Sequence, residues 1–213
     1  MQKKKTEEII RLLQKEYRGA KIALKYGNFL ELLVAVILSA QCTDKQVNIV
    51  TEKLFKKYRS IDDYAAADVN VFSQDIRSTG FFRNKAKHIV GAAQKIKTEF
   101  NGKIPSTMED LLTLPGVARK TANIVLFNVF GKNEGIAVDT HVRRLSGRLG
   151  FTVYDNPEKI EKDLMNILPK SQWGRFSYVL IEHGRKVCLA RKPKCKECFL
   201  KDLCPSVKKF LTL

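Results

Sequence analysis

Two groups of residues in this chain of 213 are of types and spacings that could do chemistry. The first is Arg119 and Lys120 in "LPGVARKTANIVL", residues 114–126. A proline and a glycine stand side by side, and the two cations follow where a helical apolar pattern begins. The start of a helix already carries positive partial charge and prefers anions. Two cations there suit an anion that arrives from outside, or a lysine whose acidity matters. An amine attacks only when deprotonated, and a positive helix end, a neighbouring arginine and partial burial all favour its neutral form. By itself Lys120 reads first as a phosphate contact and second as a nucleophile. The second group is "CLARKPKCKECFLKDLC", with Cys188, Cys195, Cys198 and Cys204 spaced C-x6-C-x2-C-x5-C. Four thiolates suit zinc or an iron–sulfur cluster. A zinc site usually brings two close pairs. Here only Cys195 and Cys198 are close, so one loop must wrap the metal, which suits a larger cluster without deciding the matter. The loop also holds Arg191, Lys192, Lys194, Lys196 and Lys201 against Glu197 and Asp202. A metal that orders a basic loop makes sense where the loop meets phosphates.

The whole chain agrees with a polyanionic partner. Lys and Arg number 39 against 22 Asp and Glu, a net charge of +17 with a pI near 9.7. Nucleic acid comes before an anionic membrane or an acidic protein as the partner of such a surface. Apolar residues at 44% and charged residues at 29% are ordinary for a globular protein with a real core. "MQKKKTEEIIRLLQKEY" lacks the apolar centre of a signal peptide, and the near-apolar run 32–40 is too short for a membrane span. The expectation is a cytoplasmic protein, nucleoid-associated in a prokaryote, with no membrane partner. In such a reducing compartment crowded cysteines argue for metal rather than disulfides. Cys42 stands apart from the other four.

The elements that must position these groups read as helices. "EEIIRLLQKEY" carries Ile9, Ile10, Leu12 and Leu13 on one stripe. Asn28 is a cap before "FLELLVAVILSAQ", apolar enough for a buried central helix. Thr43 with Gln46 predicts a capping box, and Ser60 and Asp68 predict caps of two short helices. "KAKHIVGAAQKIKTEF" is a longer amphipathic helix. "NGKIPSTMED" is a loop ending in a cap at Ser106 or Thr107. Asn156 before Pro157 pairs a cap with proline at the first helical position, and a last helix runs from Trp173 to Lys186. Sustained apolar/polar alternation is missing, so the fold class is all-α. Trp173 is read as packing, and His88 and His183 carry no usable pattern.

Taken together, these motifs resemble the endonuclease III family, helix-hairpin-helix DNA glycosylases with an iron–sulfur cluster. "LLVAVILSAQCTDKQVN" is similar to the family's central helix and the loop after it. "LPGVARKTANIVL" resembles its hairpin and catalytic helix, "AVDTHVRRLSGRLG" its aspartate segment, and the cysteine spacing its [4Fe-4S] signature. The resemblance implies two helical lobes around a central cleft, with the hairpin in residues 23–133 and the cluster in residues 1–22 plus 134–213. Lys120 and Asp139 are then expected to face each other across that cleft. It implies base-excision repair: removal of oxidised pyrimidines and strand cleavage at abasic sites (β-elimination) through a lysine Schiff base. Lys120 becomes the nucleophile. Asp139, otherwise a helix cap, becomes the carboxylate that assists it and faces the positive charge developing on the sugar. Cys188, Cys195, Cys198 and Cys204 become ligands of a [4Fe-4S] cluster. Double-stranded DNA with damaged pyrimidines or abasic sites becomes the partner of a monomer. The expected DNA contacts are Gly116, Val117, Ala118, Arg119 and Thr121 of the hairpin, and Lys192 and Lys194 of the basic loop. Gln41 and a bulky apolar residue are expected to fill the gap left by the extruded base. Phe81 matches the wedge position, with Phe82 beside it. Two adjacent phenylalanines cannot both face the core of one helix.

Three positions depart from the family pattern. Ala118 stands where the hairpin usually has glycine; alanine resists positive φ, so it is assigned to the first helical turn. Cys42 replaces a small residue beside the lesion. Leu112 stands where close relatives carry a carboxylate. His141 reads as a structural hydrogen-bond donor. Two rival functions lose ground on particular residues. A monofunctional glycosylase on the same scaffold would lack the lysine, and an adenine-excising one would need a glutamate before Gln41, where the chain has "LSAQC". A non-catalytic, metal-stabilised DNA binder would not need both Lys120 and Asp139.

Overall fold

Apolar stripes at helical spacing produce helices throughout. The computed structural model describes residues 2–211, and among these there are α-helices and short 3-10 turns but no strand. The helices are α1 (Gln2–Glu16), α2 (Phe29–Leu38), α3 (Asp44–Lys57), α4 (Ile61–Ala65), α5 (Val69–Asp75), α6 (Phe82–Glu99), α7 (Met108–Leu112), α8 (Arg119–Phe130), α9 (Thr140–Arg148), α10 (Pro157–Ile167), α11 (Trp173–Lys186) and α12 (Val207–Leu211). None is long and apolar enough to cross a membrane. The chain divides into two compact units, Ala23–Lys132 and Met1–Ile22 with Asn133–Leu213.

In the first unit α2 is the buried centre, with every residue from Leu32 to Leu38 out of solvent. It packs on α8, while α4 and α5 pack on α6. Tyr58, Tyr64 and Phe72 form an aromatic knot with ring centroids 5.0–5.8 Å apart. Burying one large apolar side chain contributes roughly 1.5–3 kcal/mol, whereas one helix cap contributes about 1 kcal/mol. The caps therefore decide where helices start, and the core decides that they form. Asn28, Ser60, Asp68 and Thr107 all accept a backbone N–H in their helix's first turn, and Ser60 with Asp63 closes a full capping box. The box expected at Thr43 is only half made. Thr43 accepts from the Gln46 N–H, but the Gln46 amide donates instead to Ser78 Oγ at 2.8 Å.

The second unit packs α1, α9, α10 and α11 around Ile9, Leu13, Leu145, Leu164, Phe176 and Leu180. Asn156 caps α10 ahead of Pro157. Trp173 opens α11 and donates its indole N–H to Leu168 O at 3.0 Å. The chain does not end its helices there: α12 follows the cysteine loop.

Candidate functional site

The hairpin is built from α7, a tight turn and α8. Leu114 and Val117 are buried and pin the turn from below, and Val117 N–H donates to Leu114 O at 3.1 Å. Val117 is thus an anchor, and its amide is spent on the turn rather than open to a phosphate. Gly116 has φ +77°, a conformation that costs side-chain-bearing residues about 1–2 kcal/mol. Ala118 lies one residue earlier than the first helical turn expected for it. It is the N-cap of α8, extended at φ −93° and ψ 171°. The negative φ explains why alanine is tolerated where a left-handed glycine is not required. An alanine cap offers no side-chain acceptor, and no side chain caps α8. An anion that meets this helix start can take first-turn amides that a Ser or Asp cap would have occupied.

Arg119 and Lys120 are the first two residues of α8, and Thr121, half-buried, is the third. Lys120 is exposed. The partial burial expected for this amine is therefore not seen. Leu112, at the end of α7, is 44% exposed, an apolar surface beside the hairpin.

Asp139 belongs to the other unit and is the N-cap of α9, where Oδ1 accepts from Val142 N–H at 2.8 Å. The cap uses one carboxylate oxygen and fixes the side chain's heading. Upstream, buried Glu161 accepts the Ile136 N–H at 3.1 Å, which steadies the segment entering the cap. His141 accepts at Nδ1 from Arg144 Nη2 at 3.2 Å, since a guanidinium can only donate. Its structural role is thus that of acceptor at this nitrogen.

The four thiols of Cys188, Cys195, Cys198 and Cys204 line one pocket, with Leu149 and His183 in its wall. No three Cys, His or acidic side chains among the described residues group as ligands of a single ion. Burial, and then the neighbouring thiols, push Cys195, Cys198 and Cys204 above the usual thiol range. Such a pocket resists bare thiolates and suits a positively charged inorganic core that neutralises them. The donor set and the shared pocket fit an iron–sulfur cluster. Buried His183 is held neutral, its pKa pushed down to about 4 by burial. It lies 3.0 Å from the Tyr17 hydroxyl through Nδ1 and 3.8 Å from Cys198 Sγ through Nε2.

Two arginines to which the motifs above give no role grip this loop. Arg144 Nη2 donates to Gly184 O and Cys188 O, and Arg148 donates to Leu189 O, Ala190 O and, at 3.4 Å, Cys188 Sγ. Both lie on α9, the helix that Asp139 caps, at a spacing of four that puts them on one face. That spacing of two large cations was the available signal. Within the loop Lys192 and Lys194 are exposed, Lys192 at φ +49°.

The two expected insertion residues share an unusual backbone. Gln41 (φ +52°) and Phe81 (φ +48°) are both left-handed, and both are exposed. Phe81 is 64% exposed. Phe82, the first residue of α6, is half-buried with Arg83 over its ring at 5.7 Å. Of the pair, Phe81 is the one presented to solvent. Cys42 is half-buried beside Gln41.

Comparison with known proteins converges on one family. Residues 34–170 match the HhH-GPD superfamily of base excision DNA repair proteins, and residues 188–204 match the iron–sulfur binding domain of endonuclease III. Endonuclease III of Synechocystis sp. is 54% identical over 204 residues, which is 96% of this chain and 93% of that protein. Endonuclease III of Bacillus subtilis is 46% identical, covering 87% of this chain and 84% of the relative. Among solved structures, a trapped endonuclease III–DNA covalent intermediate, an estranged-adenine complex, superposes with a TM-score of 0.94 at 43% identity over 98% of both chains. A non-covalent endonuclease III–DNA complex gives 0.95 at 43% identity over 99% of both.

Proposed function

The chain belongs to the endonuclease III family of helix-hairpin-helix base-excision repair proteins, and we propose that Lys120 is its amine nucleophile, Asp139 its supporting carboxylate and damaged pyrimidines in duplex DNA its substrates. It is a DNA glycosylase with AP lyase activity, it binds DNA and it carries a [4Fe-4S] cluster. The division of labour among its residues is our reading, as is its action as a monomer on cytoplasmic DNA. The observation that carries this reading is a primary amine held exposed in the first turn of α8, at a helix start that no side chain caps.

The chemistry follows from that amine. Hairpin amides around Gly116, Ala118 and Arg119, with Thr121, hold one DNA phosphate, and the basic loop residues Lys192 and Lys194 meet other phosphates. Gln41 and Phe81 fill the gap left by the extruded base, with half-buried Phe82 next to Phe81 at the start of α6. The neutral Lys120 Nζ attacks C1′, the bond from C1′ to the base breaks, and the base leaves with the glycosidic electron pair. Asp139 offsets the positive charge that grows on the sugar as that bond lengthens. One Nζ proton passes to the departed base, the Nζ lone pair then breaks the C1′–O4′ bond, and O4′ takes a proton from water, leaving a protonated Schiff base. Loss of a C2′ proton then expels the 3′ phosphate, and water releases Lys120. Cys188, Cys195, Cys198 and Cys204 would hold the cluster, whose contribution when bound is to cross-link the basic loop. The covalent intermediate with DNA trapped for a 43%-identical relative supports a protein nucleophile in this chemistry.

Borohydride trapping on an oligonucleotide with one oxidised pyrimidine tests the reading. The wild-type protein should form a stable adduct that maps to Lys120, and Lys120→Gln should form none while still binding abasic-site DNA. An adduct with Lys120→Gln would move the nucleophile elsewhere.

A further inference from the structure

Lys85 is a buried lysine that the proposed chemistry does not use. It is 4% exposed and lies in the opening of α6, where a cation is disfavoured by the helix end as well as by desolvation. Burial lowers its pKa, with Cys42 acting in the opposite direction. What offsets these costs is a pair of short hydrogen bonds. Nζ donates to Leu38 O at 2.8 Å and to Thr79 O at 2.7 Å. Leu38 is the last residue of α2, so its carbonyl belongs to the negative end of that helix. Thr79 ends the short 3-10 turn Arg77–Thr79 and is itself fully buried.

The two acceptors have a common position in the chain. Leu38 lies three residues before Gln41, and Thr79 lies two before Phe81. Gln41 and Phe81 are the two left-handed, exposed residues of these loops. The Lys85 N–H donates to Phe81 O at 3.1 Å as the first backbone bond of α6, so the ammonium stands one helical turn from Phe81. A second tie joins the same segments from outside, through Gln46 Nε2 and Ser78 Oγ. On the Gln41 side the turn is closed by Cys42 N–H to Ser39 O at 3.1 Å. The ammonium thus satisfies an end carbonyl of α2, while its bond to Thr79 O belongs to neither helix. It sets the distance and heading of two loop tips.

We propose that Lys85 is a positioning residue whose ammonium locks the Gln41 and Phe81 loops into a single wedge that enters the duplex as the damaged base leaves. This rests on the insertion role assigned above to Gln41 and Phe81. A wedge made of two independent loops would have to order each at the moment of insertion. One cross-linked through a buried cation is already ordered, and inserts faster. The effect belongs to extrusion of the base, not to the attack of Lys120, and it acts through Phe81 rather than by contact with the reacting atoms.

The test uses the cluster-loaded protein and a duplex with one thymine glycol beside 2-aminopurine, whose fluorescence rises when its stacking is lost. Lys85→Met keeps the apolar stem and removes the donors. It should slow the fluorescence rise and base excision about ten-fold, while β-elimination at a preformed abasic site, where no base need be extruded, falls by no more than about two-fold. In a Phe81→Ala background the same substitution should cost less than about two-fold, because the lock then has only Gln41 left to position. Lys85→Arg, which keeps the donors, should recover most of the rate. If Lys85→Met does not fold, Gln46→Leu replaces it: loss of the second tie should slow insertion, and the slowing should vanish with Phe81→Ala. Equal losses at intact lesions and abasic sites, or effects that simply multiply with Phe81→Ala, would overturn the proposal. If Phe81→Ala alone leaves the fluorescence rise unchanged, it is the wedge reading that fails, and the lock fails with it.

Discussion

His88 occupies the space that a side chain on Gly116 would need: a Cβ built on Gly116 would lie 2.7 Å from His88 Cβ and 3.0 Å from its Cγ. The nearest atom is bonded directly to the backbone of α6, so it cannot swing aside as the end of a long side chain could. Gly116→Ala should therefore incur two costs, the left-handed backbone at about 1–2 kcal/mol and the overlap. Chemical unfolding should show a clear loss of stability, and anisotropy titrations a loss of abasic-DNA affinity. The atoms involved make the cause separable. His88→Gly should recover the whole overlap part in a double-mutant cycle, whereas His88→Ala, which removes Cγ but keeps the nearer Cβ, should recover only a smaller share. No coupling from either would locate the cost in the backbone alone.

Lys192 joins an exposed charge to a left-handed backbone, φ +49°. Lys192→Ala and Lys192→Gly both remove the charge, but only glycine accepts that backbone freely. Both should weaken binding to damaged and undamaged duplex alike and make the salt dependence shallower by about one ion. The Gly variant should melt at a higher temperature than the Ala variant. Altered lesion preference at unchanged affinity would show that Lys192 reads the lesion instead of gripping phosphate.

Glu161 reaches the Asp139 segment through the Ile136 N–H. Glu161→Gln keeps an acceptor of the same length and should change stability little. Glu161→Leu leaves that buried N–H without this acceptor, at about 1–3 kcal/mol. Excision should slow more for Leu than for Gln when both are compared at temperatures equally far below their unfolding midpoints. Similar rates for the two would separate this hydrogen bond from the placing of Asp139.

What could be read from the sequence was what is decided locally. Asn28, Ser60, Asp68 and Asn156 each cap a helix within three residues of themselves, so their types alone announce the helix starts, while for α7 the types leave Ser106 and Thr107 open and the fold takes Thr107. The Thr43 box failed because Gln46 found Ser78, 32 residues away. That one phenylalanine of the pair must face outward followed from helix geometry. Which one depended on Phe81 adopting positive φ, a feature no neighbouring residue type forces. Lys85 was invisible for the same reason. In "RNKAKHIV" it reads as one more polar position on an amphipathic helix, and only carbonyls supplied by two distant loops make it a buried cation. Arg144 and Arg148 were legible as a pair on one helix face, but their acceptors lie some 40 residues downstream.

Asp139 offers the sharpest separation of structure from chemistry, because its cap and its proposed catalytic role make different demands. As an N-cap it needs only an oxygen that accepts the Val142 N–H, now 2.8 Å away. Asn caps about as well as Asp, and Ala loses about 1 kcal/mol. As the carboxylate that offsets charge on the sugar it needs the negative charge itself. Asp139→Asn should therefore unfold at nearly the wild-type denaturant concentration yet lose most of its excision rate, while Asp139→Ala should lose both stability and rate. Both keep Lys120, so at a preformed abasic site each should still give a borohydride adduct, formed slowly. If Asp139→Asn excised bases at the wild-type rate, the carboxylate would be a cap and nothing more. Another acid would then have to face the departing base. If Asp139→Asn instead unfolded early while excising normally, the charge would serve the dipole of α9 and not the sugar.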